Sequence, residues 1–138
     1  MLSGIFRFRG GKASREKLIR DLASCLNERA YARLQEIVSE DIVIADVNTR
    51  QFSGRDWMLS SERELSRRIP DRKLVIETMH HFEDAVLVSG RYESRNADVA
   101  GPAMWRVGFS GDKIVRIDVT RADNRMTLPK FAAHFANY

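Results

Sequence analysis

The chain has 138 residues, which suits one domain and allows a hydrophobic core that needs neither disulfides nor a metal to fold. Hydrophobic residues make up 43% and charged residues 30%, which argues against wholesale disorder, and no apolar run approaches the roughly 20 residues that span a bilayer. The single cysteine, Cys25, excludes an internal disulfide and a cysteine-based zinc site.

The net charge of +4 first suggests a polyanionic partner, but the charge is unevenly distributed. Residues 1–20 hold six basic residues and one acidic residue, whereas the other 118 residues carry a net charge of −1. This pattern predicts a basic N-terminal arm over residues 1–13, ahead of a nearly neutral body. Beyond Phe6 and Phe8 the arm lacks the aromatic residues on which single strands stack, so we do not expect a nucleic-acid partner.

Apolar spacing predicts two helices near the start of the chain. The first is expected to begin near Ser14 as its N-cap, and the second, short helix to cover about residues 30–38. The buried face of the first helix consists of apolar residues three and four positions apart: Leu18, Leu22, Cys25 and Leu26.

The pattern then changes to that of a strand. Residues 41–47 form a β-branched run, and residues 48–54 are rich in turn formers, which indicates an irregular connection. Helical spacing returns over residues 55–69 and ends at Pro70.

The second half of the chain is mostly extended, with a helical spacing in the tail at residues 128–138. Helices that gather early, followed by a meander of strands, predict an α+β fold with the helices on one face of a curved antiparallel sheet. Four strands are predicted, over residues 73–82, 85–93, 103–109 and 113–121.

Alternation in the last two strands predicts the register of their hairpin. A two-residue loop would place Val107 opposite Arg116 and mix apolar and charged side chains on one face of the sheet. We therefore expect a three-residue loop at residues 110–112, with Val107 opposite Val115.

Three stretches of sequence resemble a known family when taken with the two N-terminal helices: IVSEDIVIADV, FSGRDWM and GPAMWRVGFSGDKIVRIDV. Their order and spacing are similar to the nuclear-transport-factor-2-like superfamily, in particular its SnoaL-like polyketide cyclase and ketosteroid isomerase branch. The resemblance covers about residues 14–122, with residues 123–138 as a tail that carries a short helix.

The resemblance implies a cone, in which a strongly curved antiparallel sheet wraps around the N-terminal helices as a cystatin-like α+β barrel. It also implies a pocket for a small apolar or polycyclic ligand, proton-transfer chemistry of an isomerase, cyclase or dehydratase type without a cofactor, and a homodimer that pairs through the outer sheet face. We expect a cytoplasmic protein with no membrane span. The alternative is a non-catalytic dimeric module of the same fold that binds ligands or proteins.

Asp46 is the first candidate catalytic residue. It shares one side of its strand with Ile42 and Ile44, and the resemblance places it where ketosteroid isomerases keep a general base. A carboxylate in an apolar cavity can shuttle a proton because burial raises its pKa. The alternative is an aspartate at a strand end that binds the following turn.

The comparison with steroid isomerases fails at the oxyanion site. The family's tyrosine on helix one and protonated acid on the fourth strand correspond here to Leu22 and Trp105, so steroid isomerisation is not expected. His80 and His81 are adjacent on a strand and point to opposite faces, which excludes a two-histidine metal site within that strand. His80 is nonetheless a candidate acid or base in the pocket, against the alternative of a half-buried polar group.

The candidate ligand-binding residues are inward-facing aromatic and aliphatic side chains together with Arg121, whose guanidinium would hold a carboxylate or pair with Asp46. A solvated arginine at a strand end is the favoured alternative for Arg121. The aromatic side chains would either line a pocket or simply fill the cone. The expected binding residues are Trp57, Trp105, Val107, Ile117 and Arg121, with Met58, Phe82 and Phe109 beside them.

Arg91 and Glu93 lie on one side of a strand, and the resemblance offers two interpretations. Epoxide hydrolases of the superfamily use an arginine and an acid at a corresponding place to position water. The interpretation that we favour is an ion pair on the outer face of the sheet.

Overall fold

The computed structural model describes residues 11–47, 50–122 and 124–135, which form four helices and six strands. The predicted α+β class is confirmed. Most of the predicted N-terminal arm lies outside the described residues. The elements are α1 (Lys12–Glu28), α2 (Tyr31–Ile37), β1 (Val38–Asp46), β2 (Gln51–Ser53), α3 (Arg55–Arg68), β3 (Lys73–Phe82), β4 (Ala85–Glu93), β5 (Gly101–Ser110), β6 (Lys113–Thr120) and α4 (Leu128–Phe135).

Helix α1 begins two residues before the predicted cap. Its N-cap is Gly11, which has no side chain to accept a hydrogen bond from the amides of the first turn, so the expectation for Ser14 is wrong. The helix ends at Arg29, whose φ of 58° is left-handed, and the amide of Ala30 donates to the carbonyl of Cys25. The buried face is nevertheless the one that the apolar spacing predicts, because burial follows periodicity rather than capping.

The sheet is curved and not closed, with the strand order β2-β1-β6-β5-β4-β3. Strands β3 to β6 form the predicted antiparallel meander. The expectation of an entirely antiparallel sheet is wrong, because β1 runs parallel to β6 and makes the sheet mixed. Strand β2, which lies in the stretch expected to be irregular, pairs antiparallel with β1 and places Phe52 opposite Ile44.

The hairpin between β5 and β6 differs from the predicted register by two residues. Its turn has only two residues, with Gly111 at a left-handed φ of 59°, and Val107 faces Ile117 rather than Val115. A β-bulge beside Gly108 leaves Val115 out of the pairing. Because the bulge leaves one residue of β6 unpaired, the inward-facing positions of β5 and β6 are again opposite each other despite the two-residue turn. The apolar residues therefore still share the inner face of the sheet.

The hydrophobic core lies between the inner face of the sheet and helices α1, α2 and α3. Helix α1 also protects the exposed edge at β3, where the side-chain amide of Asn27 donates to the carbonyl of Leu74 and accepts from its amide, both at 2.8 Å. Helix α4 packs against α3 and β1, which makes the predicted tail part of the packed structure. Representative core residues are Leu22, Leu34, Ile42, Met58, Val86 and Val107.

Gly90 permits a close approach between two strands. A Cβ built there would lie 2.2 Å from the carbonyl oxygen of Val75 and 3.1 Å from the ring of Trp105. Strand β3 carries a bulge in the same region, between Ile76 and Thr78. A side chain at position 90 would therefore push β3 outward and displace Trp105.

The substitution Gly90→Ala is expected to lower the free energy of unfolding by about 1–3 kcal/mol, because the new methyl group meets backbone rather than a flexible side chain. Gly108→Ala is the matched control on the same sheet, since its nearest contacts are 3.6 and 3.9 Å away. We expect the control to change stability by less than about 0.5 kcal/mol. Urea unfolding of the two variants measures the difference, and equal midpoints would contradict this account of Gly90.

Candidate functional site

A cavity opens between the inner face of the sheet and helices α1 and α3. Its volume is about 80 Å³, counted as the space open to the centre of a water molecule. Since one water needs roughly 10–15 Å³ on this measure, the cavity has room for several waters or a small organic group. The walls are mostly apolar and include Leu22, Leu26, Met58, Leu65, Val88 and Val107.

The cavity also has a polar end, which begins with a buried ion pair. Glu62 of α3 is only 4% exposed, and its Oε2 accepts a hydrogen bond from Nη2 of Arg72, whose side chain is 9% exposed. Burial opposes the charge on Arg72, but the attraction of Glu62 and Tyr92 outweighs it, so the pKa of the guanidinium lies above its ordinary value. The pair thus places one carboxyl group from α3 and one guanidinium from the connection before β3 at the wall of the cavity.

Tyr92 lies close to two guanidinium groups at this end of the cavity. Its ring centre is 5.7 Å from the guanidinium carbon of Arg72 and 4.9 Å from that of Arg121. Trp105 meets the ring edge-on at 5.7 Å. Burial raises the pKa of the Tyr92 phenol, and the opposing effect of the guanidinium charges is smaller, so the hydroxyl is a proton donor at neutral pH.

Arg121 is buried, which corrects the favoured expectation of a solvated strand end. Its guanidinium donates to the carbonyls of Pro102 at 3.1 Å, Gly101 at 3.0 Å and Met126 at 2.9 Å. These bonds join the start of β5 to the segment that leads into α4. Burial lowers the pKa of Arg121, and the neighbouring charge of Arg125 acts in the same direction.

Asp46 lies beside the cavity but is not among the residues that line it. Its Oδ1 accepts from the amide of Arg50 at 3.2 Å, and its Oδ2 accepts from the hydroxyl of Thr127 at 2.9 Å. Thr127 in turn caps α4 by accepting the amide of Lys130 at 3.1 Å, and it lines the cavity. Both described oxygen contacts of Asp46 therefore support a turn and a helix, as the alternative interpretation expects.

The two histidines point to opposite faces of β3, as their adjacency predicts. His80 is exposed, pairs with Leu87 and is not part of the cavity wall. His81 faces α1, where its Nε2 lies 2.7 Å from Oε2 of Glu16. That hydrogen bond lowers the pKa of Glu16 and fastens the helix to the sheet.

Four of the five residues expected to bind a ligand line the cavity, and they belong to β5, to β6 and to the position directly after β6. The exception is Trp57, which stacks on Phe52 with ring centres 4.3 Å apart. Phe82 is 55% exposed and Phe109 packs against the core outside the cavity wall. The four that line it are Trp105, Val107, Ile117 and Arg121.

Glu62, Arg72 and Tyr92 are the polar residues that sequence reasoning missed. Glu62 follows Met58 by four residues and precedes Leu65 by three, so a charged residue interrupts the apolar face of a helix. Such an interruption is a detectable signal for a buried carboxylate. Arg72 carries no comparable signal, because it lies in the short connection before β3.

The predicted outer ion pair is confirmed. Arg91 donates to Glu93 and to Glu77, each at 2.7 Å, and all three side chains are substantially exposed. Within the described ranges, no group of three or more histidine, cysteine, aspartate or glutamate side chains is arranged to hold a metal ion. The same ranges contain no helix that is long and apolar enough to cross a membrane.

Known structures share this fold at low sequence identity. A protein from Sinorhizobium meliloti assigned to the polyketide cyclases is 13% identical with a TM-score of 0.68, over 77% of this chain and 97% of that one. A protein from Kribbella flavida assigned to the ketosteroid isomerases is 16% identical with a TM-score of 0.69, over 83% and 82%. A cystatin-fold protein from Novosphingobium aromaticivorans has a TM-score of 0.67 at 14% identity, over 76% and 96%.

No curated protein matches the sequence. The model of the SnoaL-like domain, in contrast, matches residues 19–117, which include the second half of α1, most of the cavity wall and most of the sheet. Because this match covers most of the chain and agrees with the fold, the chain belongs to the SnoaL-like domain family of the nuclear-transport-factor-2-like superfamily.

Proposed function

We propose that this protein is an enzyme that transfers a proton next to a carbonyl group of a small, mostly apolar molecule bound in the cavity. The observation that carries the proposal is a buried carboxylate, Glu62, on an otherwise apolar wall and beside the protonated phenol of Tyr92. A base and a hydrogen-bond donor at one end of an apolar cavity are what enolisation of a carbonyl compound requires.

Glu62 is the general base in this proposal. Its Oε2 is held by Arg72, which fixes the orientation of the carboxylate. Among the described residues, Oε1 accepts no hydrogen bond, so it can take a proton from a ligand carbon. The positive charge of Arg72 therefore lies directly against the base, in a poorly solvated place.

Tyr92 and the neighbouring guanidinium groups stabilise the negative charge that develops on the carbonyl oxygen. The phenol donates a hydrogen bond, and the positive charges of Arg72 and Arg121 both lie close to its ring. Trp105, Val107 and Ile117 provide the apolar surface on which the body of the ligand lies.

The candidates Asp46, His80 and Trp57 have no direct contact with the ligand in this proposal. Asp46 acts through Thr127, which it orients at the cavity wall and at the start of α4. His80 belongs to the outer face of the sheet, and Trp57 supports β2 by stacking on Phe52.

A binding module without catalysis is the second candidate. The observation in its favour is the ion pair between Glu62 and Arg72, which occupies one oxygen of the only carboxylate that lines the cavity within the described residues. Such a module would bind the same ligands but would not exchange their protons, so the first experiment below separates the two functions.

We also propose that two copies pair through the outer face of the sheet in the cytoplasm. On that face Met104 is 52% exposed, beside the charged residues of β4 and β6. Light scattering after size exclusion is expected to give twice the chain mass of 15.8 kDa, and Met104→Lys is expected to favour the monomer. A wild-type protein of monomeric mass at all concentrations would contradict this assembly.

The proton-transfer proposal predicts hydrogen–deuterium exchange at carbon. In D₂O the protein is expected to accelerate the loss of the protons next to the carbonyl of 2-tetralone, a neutral bicyclic ketone, as followed by NMR. Glu62→Gln is expected to reduce the enzymatic rate at least about 100-fold, because the amide cannot accept the proton. Glu64→Gln is the matched control on the same helix, since Glu64 lies outside the cavity and pairs with Arg67 and Arg68.

Exchange that persists in Glu62→Gln would contradict the role of Glu62. A wild-type protein that binds 2-tetralone without exchanging its protons would favour the binding module instead.

Asp46→Asn separates a structural from a catalytic role for the strand-end carboxylate. We expect the free energy of unfolding to fall by about 1–2 kcal/mol, because an amide nitrogen cannot accept the hydrogen bonds that the carboxylate receives from Arg50 and Thr127. The exchange rate of folded protein is expected to stay close to that of the wild type. Chemical denaturation and the NMR assay measure the two effects, and a loss of exchange as large as that of Glu62→Gln would restore Asp46 as the base.

A further inference from the structure

The polar end of the cavity carries more positive than negative charge. The described residues that line it include two guanidinium groups, Arg72 and Arg121, and one carboxylate, Glu62. A third guanidinium is close by, since the side chains of Arg125 and Arg121 both approach Gly101, within 3.6 and 3.7 Å of a Cβ built there. One positive charge at the cavity wall therefore has no carboxylate to balance it there.

The hydrogen bonds of the two arginines leave room for an acceptor. The three described bonds of Arg121 all go to backbone carbonyls, which carry no net charge. Nη2 of Arg72 donates a hydrogen bond to Glu62, while the Nε–H of Arg72 is buried and donates to none of the described residues. Buried guanidinium groups are normally paired and bonded, so this arrangement favours an incoming anion.

The charge and the walls restrict the class of ligand. One unbalanced positive charge matches a monocarboxylate, whereas a phosphate dianion would leave an excess negative charge in an apolar place. The planar fork of a guanidinium also fits the two oxygens of a carboxylate. The remainder of the ligand must be small and apolar, because the other walls are aliphatic and the space is limited.

We infer that the ligand of this cavity is a small carboxylic acid with an apolar body, whose carboxylate lies against Arg72 and Arg121 while the body packs on Trp105 and Val107. The inference rests on the proposed function in that it concerns the same cavity and names its substrate class. A substrate that fits both would carry a carbonyl group as well as the carboxylate, so that Glu62 can take a proton next to the carbonyl.

A pair of probes of equal shape tests the charge preference. Calorimetry with the wild-type protein is expected to give a dissociation constant for 3-phenylpropanoate at least about tenfold lower than for 3-phenylpropanamide, because only the first carries the charge. Equal affinities, tighter binding of the amide, or no binding of the carboxylate would overturn the inference. This comparison needs no variant and so does not depend on whether a substituted protein folds.

Glu62→Gln supplies the second test, after thermal unfolding has shown that the variant is folded. Removing the negative charge is expected to tighten the binding of 3-phenylpropanoate about tenfold relative to that of 3-phenylpropanamide. Glu64→Gln removes a charge from the same helix outside the cavity, and its affinities are expected to equal those of the wild type. Carboxylate binding that is unchanged or weakened in Glu62→Gln would contradict the inference.

The two proposals fail in different ways. Tight carboxylate binding without exchange of 2-tetralone protons overturns the proton-transfer function and leaves the ligand class standing. Exchange of 2-tetralone protons that depends on Glu62, without any preference for the carboxylate probe, overturns the ligand class and leaves the proton-transfer function standing.

Discussion

The buried ion pair between Glu62 and Arg72 is the interaction on which the polar end of the cavity depends. It joins α3 to the connection before β3, and both side chains are about nine-tenths buried or more. Removing one partner of a buried pair typically costs about 3–5 kcal/mol, because the other charge is left without compensation. The pair therefore fixes where the helix sits over the sheet, and it brings one negative and one positive charge to the wall of an otherwise apolar space.

The other polar contacts of this region are arranged around that pair. The ring of Tyr92 contacts the guanidinium groups of both Arg72 and Arg121, each of which is attracted to the aromatic face. Arg121 then binds three carbonyls from the start of β5 and the segment before α4, and Thr127 joins α4 to the end of β1. These segments are thus joined by hydrogen bonds, while the apolar walls are held by hydrophobic packing.

Periodicity predicts most of the fold, because burial repeats with the period of each element. The meander from β3 to β6 and the apolar face of α1 follow from spacing alone. Local pattern does not determine which strands become neighbours, and so the parallel pairing of β1 with β6 was not predictable from alternation. The hairpin register was wrong because a bulge at Val115 satisfies the same alternation with a shorter turn, and periodicity cannot distinguish the two solutions.

The candidate site was predictable where it is apolar and much less so where it is polar. Trp105, Val107 and Ile117 line the cavity because inward positions of a strand repeat every second residue. The polar residues come from α3, from a connection and from β4. Because they are far apart along the chain, the sequence does not indicate that they are close together in the fold. Among these polar residues only Glu62 has a recognisable signal in the sequence, because it is a charged residue on the apolar face of a helix.

This distribution of polar residues bears on how one cone supports different reactions. At the two positions that the family resemblance assigns to oxyanion donors, the chain has Leu22 and Trp105, and the carboxylate at the end of β1 serves a turn and a helix cap. Polar groups instead come from α3 with Glu62, from the following connection with Arg72 and from β4 with Tyr92, while α1 keeps its apolar inner face. A fold that is held together by hydrophobic packing tolerates polar groups at such different places, because the apolar wall needs no change. The fold accordingly provides the cavity, and the placement of a few buried charges sets the chemistry that is available in it.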